Sequence, residues 1–160
     1  MKRITLCIVF LFEITNLIIA QNYLCFEVTS GTTITFGIPS KLQYSFDKST
    51  WTTLTWSGVT TTEDCKVYFR GNNSNGLNTG TESGQYGSFS LTKPAKCSGN
   101  IMTLIDTRGT TTTIPCKYCF YRLFYNCPII TAPELPATKL TEFCYYYMFQ
   151  NCTSLEKSPI

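Results

Sequence analysis

Cys119-Phe-Tyr-Arg-Leu-Phe-Tyr-Asn-Cys127 and Cys144-Tyr-Tyr-Tyr-Met-Phe-Gln-Asn-Cys152 are two copies of one motif. They share both cysteines, a tyrosine, a phenylalanine, an asparagine and an aromatic residue after the first cysteine. Downstream, Ile130-Thr-Ala-Pro133 corresponds to Leu155-Glu-Lys-Ser-Pro159, with one residue fewer in the first copy. The offset from Cys119 to Cys144 falls within the period of about 20–29 residues that is typical of a leucine-rich repeat. We therefore expect residues 99–160 to be an incomplete leucine-rich-repeat segment, with strands around Ile130–Leu135 and Leu155–Ile160.

The stretch that leads into the second copy has the spacing of a short amphipathic helix. Four residues fall at i, i+4, i+7 and i+8: Leu140, Cys144, Tyr147 and Met148. This spacing places them on one helical face and predicts that Tyr147 lies in the core. Tyr145 and Tyr146 then point elsewhere and are candidates for an exposed recognition surface, because tyrosine supplies rigid amphipathic contact area. Packing of one repeat against the next is, however, the favoured role for most of these rings.

The second copy carries a resemblance to a known family. Met148-Phe149-Gln-Asn-Cys152-Thr-Ser-Leu155, followed by Pro159, resembles the repeat of the BspA-like leucine-rich-repeat surface proteins. The connector Ala132–Leu140 and parts of residues 40–104 are similar to the same family. Its members are secreted or surface-displayed proteins of Bacteroides-type bacteria and some parasitic protists, generally associated with adhesion. The resemblance implies no catalytic site, and this chain has fewer than two complete repeats.

The resemblance also implies which residues form the repeat core. The second cysteine of each copy corresponds to the Asn/Cys position of a leucine-rich repeat. The first cysteine precedes Phe124 or Phe149 at the position where the family usually places an isoleucine. The expected repeat core consists of Cys119, Phe124, Cys127, Cys144, Phe149, Cys152 and Leu155.

The first twenty residues have the pattern of a signal peptide. Lys2 and Arg3 supply positive charge, Ile4–Phe12 an apolar run, and Ala20 a small residue for cleavage before Gln21. The apolar run is too short for a membrane span, which needs about 20 residues. We therefore predict a secreted or cell-surface protein with no transmembrane segment after cleavage. A buried N-terminal strand or helix is the alternative.

Residues 21–98 show the pattern of a small all-β domain. Apolar residues of one parity recur in six short stretches: Leu24–Val28, Ile34–Phe36, Leu42–Phe46, Leu54–Trp56, Cys65–Phe69 and Phe89–Leu91. Such alternation is typical of half-buried strands. Asp47–Thr50 is a natural turn, so Gln43–Trp56 reads as a hairpin, and Gly71–Gly87 reads as a loop. The predicted fold class is mixed β and α/β: a β-sandwich-like domain followed by the start of a leucine-rich-repeat solenoid.

Composition argues against several function classes. A net charge of +3, a pI near 8.3 and scattered basic residues do not suit a nucleic-acid binder. The chain has no histidine, the commonest general base and metal ligand, so we expect no enzyme activity, no cofactor and no metal. The leading hypothesis is a recognition or adhesion protein that binds an extracellular protein or host-surface ligand through its repeats.

Two alternatives remain open. A carbohydrate-binding module would use aromatic residues of the β-domain such as Trp51, Trp56 or Tyr68. A thiol oxidoreductase would use Cys116 and Cys119, which have the Cys-x-x-Cys spacing, although no βαβ unit is visible around them.

Cysteine pairing cannot be read from the sequence. Cleavage would remove Cys7 and leave eight of the nine cysteines. Buried free thiols are the leading interpretation for the four cysteines of the repeat, because free cysteine behaves as a small hydrophobe. Disulfides are the alternative, since export leads to an oxidising space. Eight cysteines allow about 105 connectivities, so the pairing stays open.

Overall fold

The computed structural model describes residues 21–38, 41–78 and 86–159, and the predicted signal peptide, residues 1–20, lies outside them. The described chain is mostly β-sheet. Its strands are β1 Leu24–Val28, β2 Thr33–Phe36, β3 Leu42–Ser45, β4 Thr52–Thr53, β5 Val59–Thr60, β6 Cys65–Gly71, β7 Phe89–Leu91, β8 Ala95–Ser98 and β9 Ile129–Thr131. The one helical element among these residues is a 3₁₀ helix, Ile101–Leu104.

The strands form two sheets. The larger sheet has the order β4-β3-β6-β1-β8-β9, and the smaller has the order β5-β2-β7. All neighbouring strands are antiparallel except β8 and β9, which are parallel. A parallel pair needs a long crossover, and residues 99–128 provide it. The larger sheet therefore joins strands from both predicted segments of the chain.

Aromatic rings hold the two sheets together. Phe26 of β1 and Phe69 of β6 each meet Phe89 of β7 edge to face, with ring centroids 5.2 and 5.1 Å apart. All three rings are completely buried. Burying a ring of this size contributes about 1.5–3 kcal/mol, and the edge-to-face geometry adds about 0.5–1.5 kcal/mol. The alternation in the sequence predicts that these residues face inward, as they do. The prediction of a β-rich fold is confirmed.

Two strand predictions need correction. Trp56 was expected to share a strand with Leu54, but it lies in a turn between β4 and β5 and is 63% exposed. Of the predicted strand Leu155–Ile160, residues 155–159 form a single bridge, between Lys157 and Thr131, and Ile160 lies outside the described residues. The hairpin Gln43–Trp56 forms, although its second strand, β4, already ends at Thr53. β8, which the sequence did not indicate, completes the sheet between β1 and β9.

The predicted helix over Leu140–Met148 is wrong. Residues 142–151 form a series of turns, and Phe143, Tyr147 and Asn151 have φ angles of 56°, 54° and 61°. A left-handed residue at every fourth position cannot continue a right-handed helix. The physical cause is competition for the backbone carbonyls, because the first copy of the motif donates to them, as described below.

Asn78 attaches the loop after β6 to the first copy of the motif. Its buried side-chain amide donates to the carbonyls of Tyr118 at 2.6 Å and Cys119 at 3.2 Å, and its oxygen accepts from the N–H of Gly87 at 2.8 Å. A buried amide with these partners satisfies backbone groups that would otherwise be unpaired. Asn78 therefore anchors the first copy of the motif to the loop after β6.

We expect Asn78→Ala to destabilise the protein, by about 1–3 kcal/mol for each buried group left unpaired. Asn78→Asp should be at least as harmful, because it aims a carboxylate at carbonyl oxygens. Urea denaturation would measure both variants. Asn72→Ala is the matched control, since Asn72 is exposed. Equal effects at positions 72 and 78 would contradict this role for Asn78.

Candidate functional site

The two copies of the Cys-x7-Cys motif lie side by side and are joined by a backbone ladder. Alternate N–H groups of the first copy donate to carbonyls of the second at 2.8–3.2 Å. The donor and acceptor pairs are Tyr118 to Glu142, Phe120 to Cys144, Arg122 to Tyr146, Phe124 to Met148 and Asn126 to Gln150. Donor and acceptor positions advance together along the two copies, which therefore run parallel and in register.

Each copy is a chain of tight turns. The N–H groups between the ladder donors bond three residues back, as in Tyr121 to Tyr118 and Leu123 to Phe120. Every fourth residue is left-handed, at positions 118, 122 and 126 in the first copy and at 143, 147 and 151 in the second. Left-handed geometry costs on the order of 1 kcal/mol for a residue with a side chain. The shared asparagine, Asn126 or Asn151, occupies one such position, which asparagine tolerates best.

Side chains stack at the same period as the sequence motif. Rings at equivalent positions of the two copies lie nearly parallel, with interplanar angles from 3° to 19° and centroids 5.0–6.0 Å apart. The pairs are Tyr118 with Phe143, Phe120 with Tyr145, Tyr121 with Tyr146, and Phe124 with Phe149. The repeat of the sequence is therefore also a repeat of side-chain position.

The expected repeat-core residues lie on the inner side of the two copies. Cys119, Phe124, Cys127, Cys144 and Cys152 are buried, whereas Phe149 and Leu155 are half-buried and pack against the same core. Phe124 contacts Phe26 and Phe89, so it links the copies to both sheets. The eight cysteines of the described residues are free thiols.

The outer side of the two copies presents an aromatic patch centred on a cation. We use the name aromatic patch for Tyr86, Tyr118, Tyr121, Arg122, Tyr125, Phe143, Tyr146 and Tyr147. Phe143 is 53% exposed and Tyr147 is 39% exposed. Tyr121 is buried, and the other members are half-buried. An exposed aromatic patch of this kind is typical of a protein or ligand interface.

Arg122 organises this patch. Its guanidinium lies within 4.7–5.7 Å of the ring centres of Tyr86, Tyr121, Tyr125 and Tyr147. It also donates to the Tyr86 hydroxyl at 3.2 Å, and this hydrogen bond raises the pKa of Arg122. Cation–π contacts contribute about 0.5–1 kcal/mol each at exposed sites. These contacts fix the orientation of the rings in the free protein. Such preorganisation lowers the entropy cost of binding a partner.

The sequence analysis identified the tyrosine run at 145–147, but it predicted the burial of two of these residues wrongly. Tyr147, predicted to be core, is exposed, and Tyr145, predicted to be exposed, is half-buried on Phe120. Burial raises the pKa of Tyr145 to about 12. Arg122 and Tyr86 were missed, because they are far apart in the chain and only the fold brings them together.

Cys116 and Cys119 do not have the environment of a redox site. Their thiols share a hydrogen bond, but burial raises the pKa of both groups, most strongly that of Cys119. An attacking cysteine needs the opposite, a pKa lowered by a helix N-terminus or a nearby cation. Gly76 packs against this pair: a Cβ there would come within 2.2 Å of the Cys116 sulfur. The pair is therefore better suited to packing than to thiol exchange.

The aromatic residues proposed for carbohydrate binding do not form one platform. Arg70 covers the ring of Trp51 at 4.1 Å, and Tyr23 meets its edge at 4.8 Å. The ammonium of Lys48 lies 4.6 Å from the ring centre of Tyr68. Trp56 is exposed, but it makes no ring contact within the described residues. Of these three residues, Trp56 is the most exposed.

Comparison with known proteins adds no relative: no family model, no curated protein and no solved structure matches the chain. Across residues 21–38, 41–78 and 86–159, no group of three or more acidic or cysteine side chains could hold a metal ion. The same residues contain no helix that is long and apolar enough to cross a membrane.

Proposed function

We propose that this chain is an exported recognition protein that binds an extracellular protein or host-surface ligand through the outer side of its repeats. The observation that carries the proposal is the aromatic patch around Arg122. Tyrosine and arginine are the residue types that contribute most to protein interfaces when they lie together in one cluster. Both motif copies contribute rings to the patch, so the repeat itself builds the binding surface.

We further propose that the two motif copies are the first turns of a leucine-rich-repeat solenoid of the BspA-like type. The parallel ladder and the ring pairs at equivalent motif positions support this, because repeat proteins bury their apolar faces between equivalent positions of adjacent units. The signal-peptide pattern of residues 1–20 supports export to the cell surface or the medium.

The alternatives have less support. A carbohydrate site in the β-domain would depend most on Trp56, since a cation already lies against one face of Trp51 and of Tyr68. A thiol oxidoreductase would need a thiolate, which the raised pKa values of Cys116 and Cys119 oppose.

The test of the proposed interface removes its two most exposed rings. We expect the double variant Phe143→Asn, Tyr147→Asn to bind immobilised matrix proteins (collagen, laminin and fibronectin) and host cells at least about tenfold more weakly, because a hot-spot ring contributes about 2 kcal/mol or more. Asparagine is chosen because both positions are left-handed, so the turns are retained. Surface plasmon resonance and cell-binding assays would measure the loss.

The matched control is the double variant Phe46→Asn, Trp56→Asn, which removes two exposed rings of the β-domain. It should bind like the unmodified chain. If the control loses binding and the patch variant does not, the binding surface lies in the β-domain and the proposal is wrong. Failure of the unmodified chain to bind any of these probes would also count against it.

A further inference from the structure

The outer face of the larger sheet brings together cations that are far apart in the sequence. Strand β6 buries alternate residues in the core, so Lys66, Tyr68 and Arg70 point outward. Lys48, from the turn after β3, lies with its ammonium 4.6 Å from the ring centre of Tyr68. Lys96 of β8 is exposed on the same face. We use the name basic face for Lys48, Lys66, Arg70 and Lys96.

Three of these cations form a row along β6. A strand rises about 3.3 Å per residue, so successive outward residues lie about 7 Å apart. Lys66, Tyr68 and Arg70 are successive outward residues. Because the ammonium of Lys48 lies above the middle one, each step of the row carries a positive charge.

The basic face keeps a net positive charge. In the part of the chain that the structure describes, the strands of the larger sheet contain one carboxylate, that of Glu27. It lies opposite both Lys66 and Lys96, and 4.0 Å from the ammonium of Lys96, so it can neutralise only one of them. Two carboxylates in adjoining turns, Asp47 and Asp64, accept hydrogen bonds from backbone N–H groups at 2.8 Å. They are therefore held in their own turns.

Two of the cations are held in position by aromatic rings. The guanidinium of Arg70 lies 4.1 Å from the ring centre of Trp51 and donates to the side-chain oxygen of Gln43 at 2.9 Å. Lys48 is held on Tyr68 in a similar way. A ring does not neutralise the cation that lies on it, so both charges are retained for an external anion. Because their positions are already fixed, little entropy is lost when an anion binds.

A groove of about 460 Å³ lies at the Lys66 end of the row. This volume is within the range of small-ligand sites, about 300–1,000 Å³. The groove combines apolar walls with two ammonium groups and two carboxylates, and its lining includes Val28, Ile130, Lys66, Lys96, Glu27 and Asp64. The apolar walls can cover the C–H face of a sugar ring. The ammonium groups can pair with its charged substituents, and the carboxylates can accept hydrogen bonds from its hydroxyl groups.

A sulfated polysaccharide has the chemistry that both parts require. Its charged sulfate groups follow one another along the chain, as the cations do along β6, and its sugar rings suit the groove. A DNA duplex fits less well, because a flat sheet face presents no helix or two-stranded ribbon to the major groove. A membrane also fits less well, because interfacial binding needs apolar side chains that enter the lipid. The outward positions of β1, β6 and β8 carry no exposed apolar side chain.

We propose that the basic face binds a sulfated polysaccharide, with sulfate groups on Lys48, Lys66 and Arg70 and a sugar ring in the groove between Lys66 and Lys96. This inference goes beyond the proposed function, because it gives the β-domain a ligand and a surface of its own. It shares with that function only the proposed export of the chain.

The test titrates the full chain with a heparin dodecasaccharide and follows binding by isothermal titration calorimetry. We expect saturable binding at physiological salt. The same oligosaccharide after chemical desulfation should bind at least about tenfold more weakly, because it lacks the groups that pair with the cations. A single-stranded oligonucleotide of equal charge and phosphatidylserine vesicles are the competing probes. Equal or tighter binding of either one would overturn the proposal in favour of a nucleic acid or a membrane.

A pair of double variants locates the contact. Lys48→Asn, Arg70→Gln should weaken heparin binding at least about tenfold. Asparagine is chosen at position 48 because its φ angle is 64°. The matched control, Arg108→Gln, Lys139→Asn, removes one arginine and one lysine from exposed positions outside both sheets and should bind like the unmodified chain. Circular dichroism would verify that the variants fold. Equal losses in the two would show that net charge alone governs binding, and the proposal would be wrong.

Acetylation of lysines, read by mass spectrometry, needs no variant. With the dodecasaccharide at about ten times its dissociation constant, Lys48, Lys66 and Lys96 should react about tenfold more slowly, because only the free protein is accessible. Lys139 should react at an unchanged rate. Absence of saturable binding, or protection that leaves these three lysines reactive, overturns the proposal. The aromatic-patch variant Phe143→Asn, Tyr147→Asn should retain heparin binding, so the two proposed surfaces can fail separately.

Discussion

Replacing Phe124 with alanine is expected to destabilise the protein by about 3–5 kcal/mol, the cost of removing a large ring from a packed core. Phe124 is completely buried and its ring contacts Phe26, Phe89 and Phe149. The variant loses contacts to both sheets and to the second motif copy at once. Because total stabilities are about 5–15 kcal/mol, this single change should leave a marginal fold. Urea denaturation followed by tryptophan fluorescence would measure it.

Two matched variants make the result specific. Phe149→Ala changes the same ring at the equivalent position of the second copy, where the residue is half-buried. It should therefore cost clearly less than Phe124→Ala. Phe46→Ala removes a ring that is 50% exposed and should cost little. If all three variants lower stability equally, the core does not centre on Phe124.

The strands could be predicted because their signal is local. In β2, Thr33–Phe36, apolar and polar residues alternate, and the apolar ones, Ile34 and Phe36, are buried. This pattern follows from the strand's two faces and needs no knowledge of the rest of the chain. β8 was missed because its Ala95-Lys-Cys-Ser98 is short and weakly apolar, and only its neighbours β1 and β9 define it.

The helix was predicted wrongly because four-residue turns imitate its period. Cys144, Met148 and Cys152 are buried at every fourth position. An α-helix, with about 3.6 residues per turn, produces nearly the same spacing over so short a stretch. The phase differs, however, and Tyr147 falls on the outside of the turns instead of in the core. What decided the conformation was the ladder from the first copy, which no local pattern reveals.

The aromatic patch could be predicted only in part from the sequence, because contacts between distant parts of the chain form it. The tyrosine run at 145–147 drew attention to the second copy, and the repeated motif indicated that equivalent positions would meet. Arg122 gave no signal by itself, since a single arginine is ordinary. Its role depends on Tyr86, which reaches it from a loop of the β-domain.

The thiols should make the fold sensitive to alkali. Burial raises the pKa of Cys25 to about 11 and that of Cys127 to about 12, and raises the pKa of Cys97 and Cys119 as well. In the unfolded chain a cysteine ionises at about pH 8.5–9. Below that pH both states are protonated, so the full stability is present. Above it the unfolded state alone loses protons, so stability falls as pH rises toward the folded pKa values.

The expected loss is large because the effects add. One such thiol lowers the free energy of unfolding by about 1.4 kcal/mol per pH unit once the unfolded state is ionised. Four thiols together give about 5 kcal/mol per pH unit, so a stability at the lower end of the typical range of about 5–15 kcal/mol should be exhausted before pH 11. Urea denaturation at pH 7, 9, 10 and 11 with a non-thiol reductant would follow the decline. Cys97→Ala should reduce the slope between pH 9 and 11 by up to about 1.4 kcal/mol per pH unit, the contribution of one thiol, after correction for its lower stability at pH 7. Cys65→Ala should reduce it less, since Cys65 is only partly buried. A stability that stays flat from pH 9 to 11, or a slope unaffected by Cys97→Ala, would show that these thiols are not buried in protonated form.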